Sequence, residues 1–326
     1  MALRSSSSEQ RVPLASRRSV LEAAAAAFAG VSFGAPALFL SGASRAQSAV
    51  DSRIATQRLA DDLHVLTAGG VNVVALVGDG GALLVDGGSA AHAESVLRAV
   101  AALPGGGPVH TLFNTHWHRE QTGSNERLGR AGARIIAHEN TRLWLTAEIT
   151  WPWDGSRFDP LPEIARPNDT FYDHGELEVG GRSVRYGYLR HAAHTDGDLF
   201  VHFVDSNVLA VGDAVTGEGW PFLDWWTGGW IGGVVGGLEL LLAMTDDDTR
   251  IVPARGPVLT RADLQAQFAM YDTICERIFT LLYTGRSPDE AVAAGVAKEY
   301  EAKLGNSDAF VRQAFESTWA YLSPDA

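Results

Sequence analysis

The sequence contains a single cysteine in 326 residues, Cys275, so no disulfide can close within the chain. Cys275 lies in an amphipathic C-terminal stretch, which predicts a core position rather than a ligand or a nucleophile. Positive charge is also scarce, with 26 Lys and Arg against 39 Asp and Glu and a formal charge of −13. No basic cluster breaks the body of the chain, which argues against a nucleic-acid partner, because phosphate neutralisation needs a basic surface. A run of about 20 strongly apolar residues, the length that spans a bilayer, is missing as well. The nearest approach, "EAAAAAFAGVSFGAPALFL" from Glu22 to Leu40, is rich in Ala and Gly and broken by Pro36.

What that end does hold is a sorting pattern. "SRRSVL" (Ser16 to Leu21) supplies paired arginines, the mildly apolar stretch follows, and "SGASRAQSA" offers small residues for cleavage near Ala46 or Ala49. Residues 1–46 are therefore predicted to be a twin-arginine-type signal peptide, although Glu22 stands where a basic residue is common. The expectation is a periplasmic or secreted protein, with no stable membrane insertion once the signal is removed. Twin-arginine export carries folded protein, which suits a chain without disulfides. Loss of residues 1–46 removes more Arg than acid and leaves the rest at roughly −16.

The remainder is ordinary core-forming material, 46% hydrophobic and 20% charged. "VNVVALVGDGGALLVDGG" (Val71 to Gly88) reads as two strands around a Gly-rich hairpin. "SAAHAESVLRAVAAL" places Val96, Leu97, Val100 and Leu103 on one helical face. Strand "VHTLF", short helix "NERLGRAG" and strand "ARIIAHE" follow, an alternation that argues for α/β layers. Trp151 to Phe171 is rich in Pro and aromatics, lacks a period, and reads as a long loop. Val74–Gly88 and Val201–Val215 echo one another as strand–turn–strand units, ending near Asp86 and Asp213. From about Thr260 the pattern is helical, with one helix over "RADLQAQFAMYDTICERIFTLLYTG" ending at Gly285 and another starting at a Ser287 cap and ending at Gly305.

The chemistry begins with His116 and His118. Side chains two apart share one side of extended backbone, so both imidazoles can face one atom, and neutral imidazole is a common zinc ligand. An H-x-H pair alone is weak evidence. However, "HTLFNTHWH", "HAAHTDGD", "NVLAVGDAV" and "IVPARGPVLTRADL" occur in this order, and together they resemble the metallo-β-lactamase fold superfamily from about residue 60 to residue 265. The resemblance implies an α/β fold, a four-layered αβ/βα sandwich over residues 50–262, with residues 263–326 as a helical C-terminal extension. It also implies a three-histidine metal site on His116, His118 and His194, holding one zinc ion, with Asp213 as a possible additional ligand.

The family's second site does not carry over. Its H-x-H-x-D-H pattern has Glu120 and Gln121 in the last two places, and its distal histidine is replaced by Arg255. Asp213 matches the bridging aspartate. Arginine is a permanent cation with a planar fork suited to carboxylates. Two readings follow: a one-metal centre in which Arg255 pairs with Asp213 or Glu120 in place of a second cation, or a decayed site in which Arg255 simply points to solvent. Glu120 is the candidate general base or water-orienter, or simply a salt-bridge partner of Arg255. Asp86 is expected to fix the histidine loop from behind. His92, His110, His138, His174 and His202 match no ligand position, and His191, three residues before His194, reads as a surface residue or a proton shuttle.

"GEGWPFLDWWTGGWIGG" carries Trp220, Trp225, Trp226 and Trp230, and with Trp117, Trp151 and Trp153 it suggests an aromatic rim for a small molecule with an apolar part. Packing under the C-terminal helices would explain the same tryptophans. Two functions stay open on the sequence. One is an exported hydrolase of an ester, thioester, lactone or amide, with Glu120, Asp213 and Arg255 in the catalytic set. The other is a catalytically impaired periplasmic binding protein that keeps the fold.

Overall fold

The computed structural model describes residues 53–323, and the predicted signal segment, residues 1–46, lies outside them. Strands β1 (Ile54–Arg58), β2 (Leu63–Ala68), β3 (Val71–Gly78), β4 (Gly81–Val85), β5 (Val109–Phe113) and β6 (Arg134–His138) form one sheet in chain order. A small hairpin of β7 (Ile149–Thr150) and β8 (Arg157–Phe158) follows, and β9 (Asp169–Phe171) closes the sheet beside β6. Pairing is antiparallel from β1 to β4 and parallel from β4 to β9.

The second sheet runs β10 (His174–Val179), β11 (Arg182–Tyr188), β12 (Leu199–Phe203), β13 (Val208–Gly212) and β14 (Arg250–Pro253). It repeats the plan of the first, antiparallel as far as β13 and then parallel to β14. The echoed segments are thus β3–β4 and β12–β13. In each sheet they form the last antiparallel pair before the parallel strands begin.

Alternation along the strands builds the layers. Val74 and Leu76 of β3, with Leu83 and Val85 of β4, point into a core shared with Val201, Val208 and Ala210 of the second sheet. Their neighbours Val73, Ala75, Val77, Ala82 and Leu84 face outward onto Val96 and Val100 of the helix Ala93–Ala101. On the other side, Leu209 and Val211 of β13 and Ile251 of β14 pack under the helices Ile231–Ala243, Arg261–Tyr283 and Asp308–Leu322. The result is the expected four-layered αβ/βα sandwich, with the helical C-terminal region on the outer face of the second sheet. Cys275 is buried in that outer core. Among the described residues no helix is long and apolar enough to cross a membrane.

Two local expectations need correction, and one helix was not expected. Trp151 to Phe171 is more than a loop, because it contains β8, a 3-10 turn at Glu163–Ala165 and the edge strand β9. Elements of two or three residues are too short to show a period. The predicted helix from Ser287 to Gly305 does start at a Ser287–Glu290 capping box. It is divided, however, into Pro288–Ala293 and Glu301–Leu304, with Gly295 between them at φ 66. The helix Ile231–Ala243 had no place in the sequence reading, because its four glycines and the tryptophans before it hid the period.

Candidate metal centre

The site grows from the end of β5. Beyond Phe113 the chain runs Asn114, Thr115, His116, Trp117, His118 and then turns into the short helix Arg119–Thr122. Asp86, one residue beyond β4, accepts from the Thr115 backbone N–H at 2.8 Å and from the Thr115 hydroxyl at 2.9 Å. Asp86 holds φ at 62, a conformation few non-glycine residues adopt, so surrounding structure must enforce it. Burial pushes its carboxyl up to about 8, against the opposing hydrogen bonds from Thr115. Gly212 closes the same corner from the second sheet, where a Cβ would lie only 2.5 Å from Thr115 Oγ1. The ends of β5 and β13 meet at Thr115 because position 212 has no side chain.

His194 sits in the turn between β11 and β12. Asp198 holds this turn, accepting from the backbone N–H groups of His194 at 2.6 Å and Thr195 at 2.9 Å and from the Thr195 hydroxyl at 2.8 Å. The rings of His116, His118 and His194 then lie 4.6–4.7 Å apart, centre to centre, in all three pairs. All three residues are buried, and one nitrogen from each lies within 4.8 Å of the other two.

The outer nitrogens show what the inner ones can do. His118 Nε2 donates to Asp224 Oδ2 at 3.0 Å, and His194 Nδ1 donates to the Phe222 carbonyl at 2.7 Å. His116 Nδ1 lies 3.1 Å from Thr115 Oγ1, whose own proton goes to Asp86. His118 and His194 therefore spend their protons outward and turn a lone pair inward. His116 Nε2 is buried without a hydrogen-bond partner, and His194 Nε2 faces His118 Nδ1 at 3.0 Å. Two lone pairs held face to face by acceptors behind them repel one another, and a cation between them removes the repulsion. The three residues fit a metal ion on this ground, and ligand histidines braced by carboxylate or carbonyl are the usual pattern. Burial, with the charges of the neighbouring histidines and Arg255, holds His116 well below the usual imidazole range. Burial also lowers His118, against the pull of Asp224.

The altered second site lies beside this cluster. Gln121 is fully buried, and its Nε2 donates to Asp213 Oδ2 at 2.9 Å. Arg255 follows β14 and brings Nη2 to 3.7 Å from Glu120 Oε1 and Nε to 4.0 Å from Asp213 Oδ1, with 43% of its side chain exposed. Asp213 Oδ2 is 3.5 Å from His116 Nε2, but Asp213 does not join the group of converging ligand atoms. Among the described residues only the three histidines form such a group; His92, His110, His138, His174, His191 and His202 do not.

A cleft of about 290 Å³ opens over the cluster. His118, His194, Glu120, Asp213 and Arg255 form its polar side, and Trp151, Trp220, Pro221 and Phe222 its apolar side. The tryptophans of the expected rim do not share one role. Trp151 and Trp220 line the cleft, while Trp117 is buried beneath His118 at 4.5 Å and Trp230 stacks on Tyr321 of the C-terminal helix at 3.7 Å. Asp224 stands in "PFLDWW", where the surrounding aromatics mask it. The available signal was an acidic residue inside an apolar stretch, where a buried carboxylate requires a partner.

The sequence profile of the Metallo-beta-lactamase superfamily matches residues 66–256. No curated protein matches the chain. Among solved structures, the metallo-beta-lactamase from Pontibacter korlensis is similar, at 16% identity and a TM-score of 0.54, over 68% of this chain and 99% of that one. The DIM-1 metallo-beta-lactamase is 17% identical with a TM-score of 0.53, over 68% and 97%. The stereoselective inverting sec-alkylsulfatase Pisa1 from Pseudomonas sp. is 14% identical with a TM-score of 0.62, over 81% of this chain and 50% of that one. At such identities the likeness is one of fold.

Proposed function

The chain belongs to the metallo-beta-lactamase superfamily, and on that premise we propose that it is an exported hydrolase with one zinc ion, cleaving an ester, thioester, lactone or amide of a small molecule. The observation that carries this reading is the convergence of one nitrogen from each of the buried His116, His118 and His194 within 4.8 Å of one another. Three imidazoles with an open fourth position are a catalytic rather than a structural zinc set, and the ion would supply Lewis acidity and acidify water. Around it the chain's own groups divide the work. Glu120, with 47% of its side chain exposed in the cleft, takes the proton from the attacking water. Arg255 steadies negative charge on the substrate or on the developing oxyanion. Asp213, held by Gln121, keeps Arg255 over the cleft. Trp151, Trp220, Pro221 and Phe222 receive the apolar part of the substrate and exclude water from it.

Metal analysis of the purified protein tests the core of the proposal. About one equivalent of zinc is expected, lost in His116→Ala together with hydrolysis of an ester and thioester panel. Metal-free protein whose melting temperature ignores a chelator would reject the enzyme reading in favour of a binding protein. Export is tested separately: Arg17→Lys with Arg18→Lys should hold the protein in the cytoplasm of a host with twin-arginine transport.

A further inference from the structure

Two of the three converging histidines are held by nearly adjacent residues of one loop, His194 by the Phe222 carbonyl and His118 by Asp224. The peptide unit that carries the Phe222 carbonyl also carries the N–H of Leu223. It is planar, so the direction of that N–H fixes the direction of the carbonyl. Leu223 is fully buried, and its N–H donates at 3.1 Å to Oε1 of Gln313, on the helix Asp308–Leu322. One peptide unit therefore accepts from a converging histidine and donates to the C-terminal helices. Hydrogen bonds linked in this way polarise one another, so the acceptor on one side strengthens the carbonyl on the other. The same region braces the loop a second time, because Trp220 Nε1 donates to the Gly305 carbonyl at 2.9 Å and its ring stacks on Phe310 at 4.7 Å. Gln313 lies well beyond residues 66–256, the part of the chain that the family profile matches.

We propose that Gln313 is a positioning residue for the metal centre, acting through the Phe222–Leu223 peptide to set the direction and donor strength of His194. The inference rests on the reading of His116, His118 and His194 as metal ligands. It assigns the C-terminal helices a part in the site in addition to covering the sheet.

The test is zinc affinity of the purified protein by chelator competition, together with the absorption spectrum of the Co(II)-substituted form. Gln313→Ala should bind zinc about three- to tenfold more weakly, below the 10–100-fold typical of direct partners of ligand histidines because it acts one step further out. Its Co(II) bands should shift. Gln313→Glu keeps an oxygen for the Leu223 N–H and should restore both readouts to within about twofold. Should Gln313→Ala not fold, Gln313→Met fills the same space without a comparable acceptor and repeats the measurement. Affinity unchanged in Gln313→Ala or Gln313→Met overturns the proposal, as does a Glu variant that binds no better than the alanine one. If the unsubstituted protein binds no metal, the functional reading fails first; if it binds and Gln313 is indifferent, only this inference is lost.

Discussion

Asp86 and Asp213 stand at matching corners of the two sheets, each one residue beyond the strand where antiparallel pairing gives way to parallel. Their surroundings have little else in common. Asp86 is buried and spends its oxygens on Thr115. Asp213 keeps 20% of its side chain exposed, takes a hydrogen bond from Gln121, and shares Arg255 with Glu120 at the cleft wall. The difference arises from what covers each corner. The short helix Arg119–Thr122 folds over Asp86, where Gly87 N–H donates to the Gln121 carbonyl at 2.6 Å. After Asp213 the chain instead runs through the loop of residues 214–230 and lines an open cleft. A repeated backbone corner sets where a carboxylate stands, and the chain that covers it decides whether it is buried in the fold or opens on the cleft.

The largest expected effect comes from deleting each carboxylate in turn. Asp86→Ala leaves the buried Thr115 N–H without an acceptor and should cost about 2–4 kcal/mol of folding stability in a urea titration. Asp213→Ala should cost about 1 kcal/mol or less, since water from the cleft can take up the Gln121 amide. Equal losses would break the comparison.

Acid–base behaviour should separate the two corners next. The folded pKa of Asp86 is raised to about 8, well above the carboxylate value of 3.8. Between those limits the folded protein holds a proton that the unfolded chain has released. Stability must therefore fall as pH rises through this window, with the loss complete above the folded value. Melting of the chelated protein at steps from pH 4 to pH 8.5 should show this decline, and Asp86→Asn should flatten it. A wild-type profile that rises through the window would mean that Asp86 is ionised in the fold.

The other corner can be sharpened by rebuilding it. Glu120→Asp, Gln121→His and Arg255→His together restore the residues whose absence marks the second site. The triple variant should take up a second equivalent of metal, read by elemental analysis. If the metal content stays at one, the placement of Arg255 over Asp213 does not represent the vacated position.

Much of this was legible in the chain before any coordinates. The H-x-H pair after an apolar strand, His194 within "AHTDGD", and the echoed strand pairs depend on local spacing, which the fold preserves. The layering of Val73 to Val77 between two cores is not legible, because every residue of that run is apolar. Legibility ends where partners are distant. Gln121 looked like a lost ligand, but it donates to Asp213, 92 positions away. Asp224 was hidden among tryptophans, and its partner His118 is 106 positions distant. That Trp220 lines the cleft and also stacks on Phe310 follows from the loop after β13 and the C-terminal helices meeting in space, which no periodicity encodes.

The smallest effect is also the most diagnostic of sign. Arg255 places a permanent positive charge near the three histidines and helps to lower His116. If it stands in for a second cation, it must also repel the first. Arg255→Met should therefore bind zinc more tightly, by about two- to fivefold at low ionic strength, and the gain should shrink as salt is raised. Folding stability should change by less than about 0.5 kcal/mol, because the Arg255 pairs with Glu120 and Asp213 are long and part-exposed. Most substitutions around a metal site weaken binding, so a gain is hard to produce by general damage. Weaker binding in Arg255→Met would place the arginine among the groups that support the ligands, and its role as a substitute cation would be lost.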